Sequence, residues 1–493
     1  MAWYKDCNKP RLIRSITQEV LKMSVTQGIL PFKLVAEKAT SIITSFAGLP
    51  LVMETMRALK IPQLVRENLK IKQRDSGKYT ESDYVESFIG MLASGGECLE
   101  DMERLRLDVG LQELGFKAPS AESARFFLYA FHEDDLLNGR PARGAFVPKE
   151  TERLTGLLKV QGGVILQSTK GQSPKIATID QDAVVIESNK DEAMQTYLGH
   201  DGYQPMMNYW AEEDLILADE FRDGNVPASY DCYSSLERSM QMLPDSVTEI
   251  RYRADSAAYQ HNVMDKLRGG VKIRGRQVRT RYAISADMTP ALRTEIENLA
   301  EQRWRPLRKI TDKGLIEGRK EWAEVEFVPT KGTDKKKAPD RYLAIRVRPA
   351  QGELYADGNK YRYYAVVTNM WEWDGERLLR WHREKCGTVE KVHDVMKNDL
   401  GGGVLPCGKF YANAAWWRLN CLAYNVISIM KRKALPIEWW SYRMKALRYW
   451  LIGVAGRIIR TGRQVYVRFC GTAEVCGLYG QARGKLYDLA QVT

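Results

Sequence analysis

Cysteine is scarce in this chain: there are eight in 493 residues, and no two form a CxxC pair. A disulfide framework is therefore excluded, and reduced thiols in a cytosolic compartment are the expectation. Cys470 and Cys476 are the nearest pair, but no second pair and no His-x3-His lies beside them, so a zinc site lacks its ligand set. Histidine is rarer still, with five residues. His200 and His393 have no partner His or Cys at ligand spacing and read as structural or DNA-facing. The phosphate-cradling pattern GxxxxGK[ST] does not occur, which excludes a P-loop. Long apolar runs are missing too. The longest, over 449–459, is broken by glycines and falls far short of the ~20 residues that a membrane span needs. The opening MAWYKDCNKPR has no apolar signal-like stretch, so the expected setting is cytoplasmic, with no membrane.

What the chain has in excess is positive charge. Lys and Arg number 74 against 62 Asp and Glu, a formal charge of +12 with a pI near 9.1. Such a balance points to a polyanionic partner, nucleic acid before an anionic membrane. Hydrophobic residues at 44% and charged residues at 28% belong to a folding chain, not a disordered one.

The pattern divides the sequence. Residues 1–145 read mostly as helices, with apolar periodicity over 51–65 and 82–96 and no strand signal. Helix 81–93, the Gly95-Gly96 turn and the Ser120-led helix bearing Arg125 fit either a helix-turn-helix or a plain bundle that binds DNA or dimerises. Pro141, within GRPARGAFVP, marks a boundary. From 174 onward the texture changes: PKIATIDQDAVVIE predicts a buried strand, with strands following at about 203–210 and 213–221, a helix at 234–243, a strand at 246–256 and a helix at 257–267. Strand, strand, strand, helix, strand, helix is the element order of the ribonuclease H-like mixed sheet, an α/β fold, and 281–288 continues it. The first part of that domain is therefore set at 146–288, a β-rich insertion subdomain at 289–375, the remainder of the domain at 376–436 and a basic C-terminal tail at 437–493. The triple glycine at 401–403 closes the helix over 378–400. No internal repeat of 20 to 50 residues is present.

Three acids stand where this order of elements brings them together: Asp182 in the first strand, Asp255 at the end of the fourth, and Glu390 in the returning helix. Hard divalent cations prefer carboxylate oxygen and need no full protein cage. Asp180 and Asp182 are two apart on a strand and share a face, so periodicity leaves both open as the ligand; Asp182 is preferred and Asp180 is second choice. Lys397 follows Glu390 by seven residues and returns to nearly its helix face, where a lysine suits a DNA phosphate.

Two basic tracts suit DNA. The first, KLRGGVKIRGRQVRTR over 266–281, has seven Lys or Arg and no acid, among them Lys272, Arg274, Arg276, Arg279 and Arg281. The second, 431–470, has ten Lys or Arg against one acid, starts with Lys431, Arg432 and Lys433, and is interleaved with Trp and Tyr. That mixture suits phosphate contact and base stacking.

Taken in order, IDQDAVVIES, GHDGYQPMMNYW, FRDGNVPAS, YRADSAAY, VVTN and HREKCGTVEKVHDVMKNDLGGG resemble bacterial insertion-sequence transposases of the DDE class, in the group-1 branch related to the YREK transposases. Glu390 and Lys397 fit that spacing, whereas Cys386 takes the family's arginine position, with Arg383 upstream. The resemblance implies a DNA transposase that cleaves the ends of an insertion sequence and joins them to target DNA. Two Mg²⁺, with Mn²⁺ as a substitute, would be held by Asp182, Asp255 and Glu390. Its partners would be double-stranded DNA with terminal inverted repeats, target DNA and a second copy of the chain in a homodimer on DNA. Its place would be the bacterial cytoplasm, at the nucleoid when bound. Related enzymes that make hairpin ends hold a flipped base with an aromatic near the position of Trp371, although Trp371 and Trp373 also read as a buried pair. A nuclease or resolvase that cuts without joining, and a silent DNA-binding protein, are the rival readings.

Overall fold

The structure, a computed structural model, describes residues 26–27, 33–34, 42–71, 78–141, 144–311, 314–329 and 340–492. It divides into two compact units, Met1–His132 with Asn398–Gln491, and one built on Glu133–Lys397. Most of the lysine-rich tract KGTDKKKAPDR lies outside the described residues.

The unit on Glu133–Lys397 is organised by a ten-stranded sheet. Its strands are β1 (Ile176–Ala183), β2 (Met206–Trp210), β3 (Leu215–Glu220), β4 (Glu249–Ala254), β5 (Val271–Ile273), β6 (Arg276–Ala286), β7 (Arg305–Pro306), β8 (Lys320–Val325), β9 (Arg341–Val347) and β10 (Arg362–Thr368). Their order is β7-β8-β9-β10-β6-β4-β1-β2-β3, with β5 paired to β6 as a hairpin. Only β1–β4 and β4–β6 run parallel; the other pairs are antiparallel. The helices are α1 (Glu152–Thr169), α2 (Cys232–Gln241), α3 (His261–Arg268), α4 (Pro290–Glu297), α5 (Gly375–Arg383) and α6 (Val389–Asn398). The chain is thus a mixed α/β protein with a large mixed sheet, as its alternating texture predicts.

Local signals explain several of these elements. The Thr151 hydroxyl accepts from the Leu154 amide and starts α1. Buried Leu157, Val160, Val164 and Ile165 lie on that helix, and the Gln161 amide donates to the β3 carbonyls of Ile216 and Leu217 at 2.9 and 3.1 Å. In β1 and β4 both faces are covered, so Ile179, Asp180, Gln181, Tyr252 and Arg253 are all buried.

The stretch 289–375 does not form the separate insertion subdomain expected from its β-rich pattern. Strands β8, β9 and β10 extend the main sheet beyond β6, with Ala283 opposite Thr368 and Ser285 opposite Val366. Ala283, Trp322, Leu343, Val366, Leu378 and Leu379 form one apolar cluster, so α5 is seated on that extension. The seat requires glycine: a Cβ on Gly375 would lie 2.2 Å from the Trp322 ring.

In the other unit the helix Phe410–Ala434 is buried almost throughout, including Trp416 and Trp417, among helices Leu49–Ala58, Glu81–Ala93 and Ala121–Tyr129. Residues 398–436, expected with the catalytic domain, therefore belong to the unit that holds the early helices. Three short helical turns separate Glu81–Ala93 from Ala121–Tyr129, and Arg125 pairs with Glu100 at 2.8 Å, so the tight helix-turn-helix is not formed. The basic stretch after 437 is folded too: Gly456–Thr461 pairs with Gln464–Phe469 and with Ile42–Thr44, a strand the early sequence did not signal. Asp399, fully buried, takes Arg443 at 2.8 Å and Lys445 at 3.7 Å, which anchors part of that charge.

Glu376, in the first turn of α5, accepts from the Arg308 amide at 2.8 Å and the Arg308 guanidinium at 2.6 Å, and pairs with Arg380 at 2.9 Å. These contacts, the Arg308 hydrogen bonds foremost, pull its carboxyl from 4.5 down to about 2. A depressed carboxyl stabilises the fold above its ordinary range and ceases to as it protonates. Glu376→Gln should cost about 2 kcal/mol near pH 7. In urea melts across pH the gap to wild type should close as pH falls from about 4.5 toward 2.

Candidate active site

Parallel pairing of β1 with β4 sets the site. The last paired residues are Asp180 and Arg253. Two residues further along each strand are Asp182 and Asp255, so all four side chains share one face of the sheet. The alternate residues point the other way. There Tyr252 donates to Gln181 at 2.6 Å, Gln181 donates to Asn208 at 2.9 Å, and Asn208 donates to Ser235 at 2.8 Å, a buried network that fixes the strand ends.

On the first face Asp180 is fully occupied. Arg253 grips it through Nε at 2.6 Å and Nη2 at 2.9 Å, and the Thr388 hydroxyl also donates to it. Both charged side chains are at most 1% exposed. The remaining Arg253 nitrogen reaches the Trp381 carbonyl at 2.6 Å and Glu384 at 3.1 Å, and its guanidinium lies 4.9 Å from the centre of the Trp381 ring. One ion pair thus ties β1 and β4 to the end of α5 and the start of α6. A carboxylate so spent has little capacity left for a metal.

Asp182 is half-buried, and Oδ2 lies 3.3 Å from the Nζ of Lys385, itself buried in the turn Glu384–Gly387 between α5 and α6. Asp255 follows directly on β4, and its carboxylate accepts from the Ala257 amide at 3.1 Å. Surrounding protein crowds Asp255 while leaving it open to solvent on one side. That desolvation raises its pKa; Lys385 opposes the rise and Asp182 adds to it. Lys385 therefore acts on both acids. Glu390 lies exposed in the first turn of α6, close enough to Cys386 that, after burial, its charge helps to raise that thiol's pKa. Asp182 and Asp255 offer the hard carboxylate oxygens that a divalent metal takes, with a cationic group beside both. Glu390 is not gathered with them, and among the described residues the group of three such side chains whose ligand atoms lie within 4.8 Å of one another is His132, Asp134 and Glu192.

His382 touches the Ala254 carbonyl at 3.2 Å, and loss of solvation holds it down to about 4; His393 is buried and held down to about 3 for the same reason. Both are neutral at physiological pH, so His393 is structural, not DNA-facing.

The residues predicted for DNA are dispersed. Lys397 donates to the Val185 carbonyl at 3.1 Å, near the end of β1. Arg383 and Lys272 are exposed. Arg274 and Arg276 both pair with Asp245, at 2.6 and 2.9 Å, while Arg279 and Arg281 both reach Glu372, at 3.3 and 2.7 Å. The tract expected as a bare basic strip is thus partly neutralised by acids distant in sequence. Trp371 is 56% exposed, not half of a buried pair; Trp373 packs instead against Trp381, with ring centres 5.4 Å apart. In the other unit Lys431 donates to the Trp440 carbonyl at 3.2 Å, the Arg432 guanidinium lies 5.0 Å from the Trp440 ring centre, and Lys433 follows at the helix end.

Sequence reasoning missed Arg253, Thr388 and Lys385. A charged residue within the buried strand EIRYRA signals that a buried partner must exist. Nothing in HREKCG distinguishes Lys385 from its exposed neighbours.

A family model described as transposase DDE domain group 1 matches residues 32–491, and the chain belongs to that family. Among solved structures it is similar to the piggyBac transposase synaptic complex with hairpin DNA, with 11% identity and a TM-score of 0.42, over 83% of this chain and 78% of that one. No curated protein matches. Among the described residues no helix is long and apolar enough to cross a membrane.

Asp180→Asn should destabilise the fold by about 3 kcal/mol, because it leaves the buried Arg253 with only the exposed carboxylate of Glu384 as counter-charge. Asp182→Asn should cost about 1 kcal/mol or less, since its site is partly wet. Chemical denaturation of the two variants compares them directly; equal losses would remove the distinction drawn between the two aspartates.

Proposed function

We propose that this protein is a DNA transposase whose active site is formed by Asp182, Asp255 and Glu390 on a ribonuclease H-like sheet. The strand order β3-β2-β1-β4-β6, with β1, β4 and β6 parallel, supports that fold. The observation that carries the site is the pairing register, which ends on Asp180 and Arg253 and leaves Asp182 and Asp255 each two residues beyond, while Asp180 is spent on Arg253. Membership of the DDE transposase family supports the reaction class.

The reaction is in-line displacement at phosphodiesters, first by water and then by a freed 3′-hydroxyl. Asp182, Asp255 and Glu390 would hold two Mg²⁺, or Mn²⁺ in their place, and ions held there would supply Lewis-acid help to the attacking and leaving oxygens. The chain's part is to fix these carboxylates. β1 and β4 are locked by Asp180 and Arg253, and α6 is tied back by Thr388. Lys397 at the end of β1, Arg383, the exposed Lys272 and Trp371, and the second unit's Lys431, Arg432 and Lys433 are the proposed contacts to DNA. Arg274, Arg276, Arg279 and Arg281 would contribute through the charge that their acid partners leave uncompensated. The substrate is double-stranded DNA bearing the terminal inverted repeats of a bacterial insertion sequence of the YREK-related branch, followed by target DNA. The active form is a homodimer on DNA in the bacterial cytoplasm, because two ends must be joined.

The test is cleavage and joining of labelled end DNA with Mg²⁺. Asp182→Asn, Asp255→Asn and Glu390→Gln should each lower cleavage by more than about a hundredfold, beyond the effect typical of residues that merely orient ligands. End binding should stay within about twofold, because phosphate contacts carry affinity. Cleavage without strand transfer would make it a nuclease; binding without either would make it a silent DNA-binding protein; a fully active Asp182→Asn would remove the site.

Affinity for end DNA should also fall with salt. Neutralisation of six phosphates predicts a loss of roughly a thousandfold between about 50 and 200 mM. A flat profile, measured by fluorescence anisotropy, would exclude the basic residues as the DNA surface.

A further inference from the structure

The turn Glu384–Gly387 is exposed at Glu384, Cys386 and Gly387, yet Lys385 within it turns inward and is 6% exposed. Lysine is strongly hydrated and is seldom buried without a compensating charge. Here the compensation is the acidic pair. The ammonium lies 3.3 Å from Asp182 and acts electrostatically on Asp255, and among the described residues Asp255 has no ion-pair partner of its own. Flanking contacts hold the turn from both sides: Arg253 binds the Trp381 carbonyl before it, and Thr388 donates to Asp180 after it. The segment between is one short turn, and Lys385 reaches the acids on a flexible four-carbon stem.

We propose that Lys385 is an internal counter-ion that occupies the acidic site in the metal-free protein, must withdraw when Asp182 and Asp255 take a divalent cation, and thereby sets the metal affinity. The inference rests on the reading of these two acids as metal ligands. Two physical requirements lead to it. Without metal, two carboxylates at the ends of adjacent strands repel, and a resident cation relieves that repulsion. With metal, the same ammonium becomes a like charge a few ångströms from the ion, and the two compete for one pair of ligands. The arrangement keeps the site ordered before metal arrives, at the expense of metal affinity.

Binding of Mn²⁺ to the full chain without DNA, followed by electron paramagnetic resonance of the free ion, tests this. Lys385→Gln should bind Mn²⁺ roughly tenfold tighter than wild type, as removal of one competing charge demands, whereas Lys385→Arg should not tighten it. Without metal, Lys385→Gln should melt below wild type, and saturating Mn²⁺ should raise its melting temperature by more than it raises wild type's. If Lys385→Gln does not fold, Lys385→Met, which keeps the stem in its packed setting, carries the same comparison. Wild-type binding with equal or weaker binding in the Gln or Met variant overturns the proposal and leaves the metal-site reading standing. If neither wild type nor variant binds Mn²⁺, the metal-site reading falls and the proposal with it.

Discussion

The buried pairing of Asp180 with Arg253 is the interaction on which the unit built on Glu133–Lys397 turns. Both charges are withdrawn from water, and burial of that kind is tolerated only when hydrogen bonding is complete. Completion here recruits distant parts of the chain: Arg253 adds the Trp381 carbonyl and Glu384, and Asp180 adds Thr388. The parallel strands β1 and β4 are thereby fixed in register, and the α5–α6 junction, some 130 residues later in the chain, is fastened over them. Asp182 and Asp255 inherit their positions from that clamp. They lie one pleat repeat beyond it, Asp182 still paired with β2 and Asp255 just past the last residue of β4.

Much of this was legible in the sequence, and the reasons are physical. β1 announces itself through an alternating pattern rich in Ile and Val, and the element order from 176 to 286 follows from it and the strands and helices read after it. The spacing of Asp180 and Asp182 showed that both face one side but not which one stays open; the answer lies across the sheet, in Arg253. Periodicity says what a strand buries, not whom it pairs with, so the strands of 289–375 read as a separate subdomain although they extend the main sheet. The helix Phe410–Ala434 is buried around most of its circumference, with Asn413, Arg418, Asn420 and Asn425 among its buried residues, so it carried no clean apolar stripe to show which unit it fills.

Charge was the least legible property. The run over 266–281 holds seven cations and no acid, yet Asp245 and Glu372 return to it through the fold. In the other unit Asp399 does the same for Arg443 and Lys445. Net charge thus survives folding as a bulk property suited to DNA, while the identity of the contacting residues depends on which cations the fold leaves unneutralised. Lys385 shows the converse: one cation among exposed neighbours is drawn inward because two carboxylates need it.

The proposed function stands or falls with Asp182 and Asp255, and not Asp180, as the cation site. A crystal of the full chain soaked in Mn²⁺, with data collected at the manganese edge, measures that directly. The expected result is an anomalous peak bonded to the carboxylates of Asp182 and Asp255, with the Lys385 ammonium moved away and the Asp180–Arg253 pair intact. A peak on Asp180 with Arg253 displaced, or a saturated soak that leaves Lys385 in place and no manganese at these acids, would contradict it.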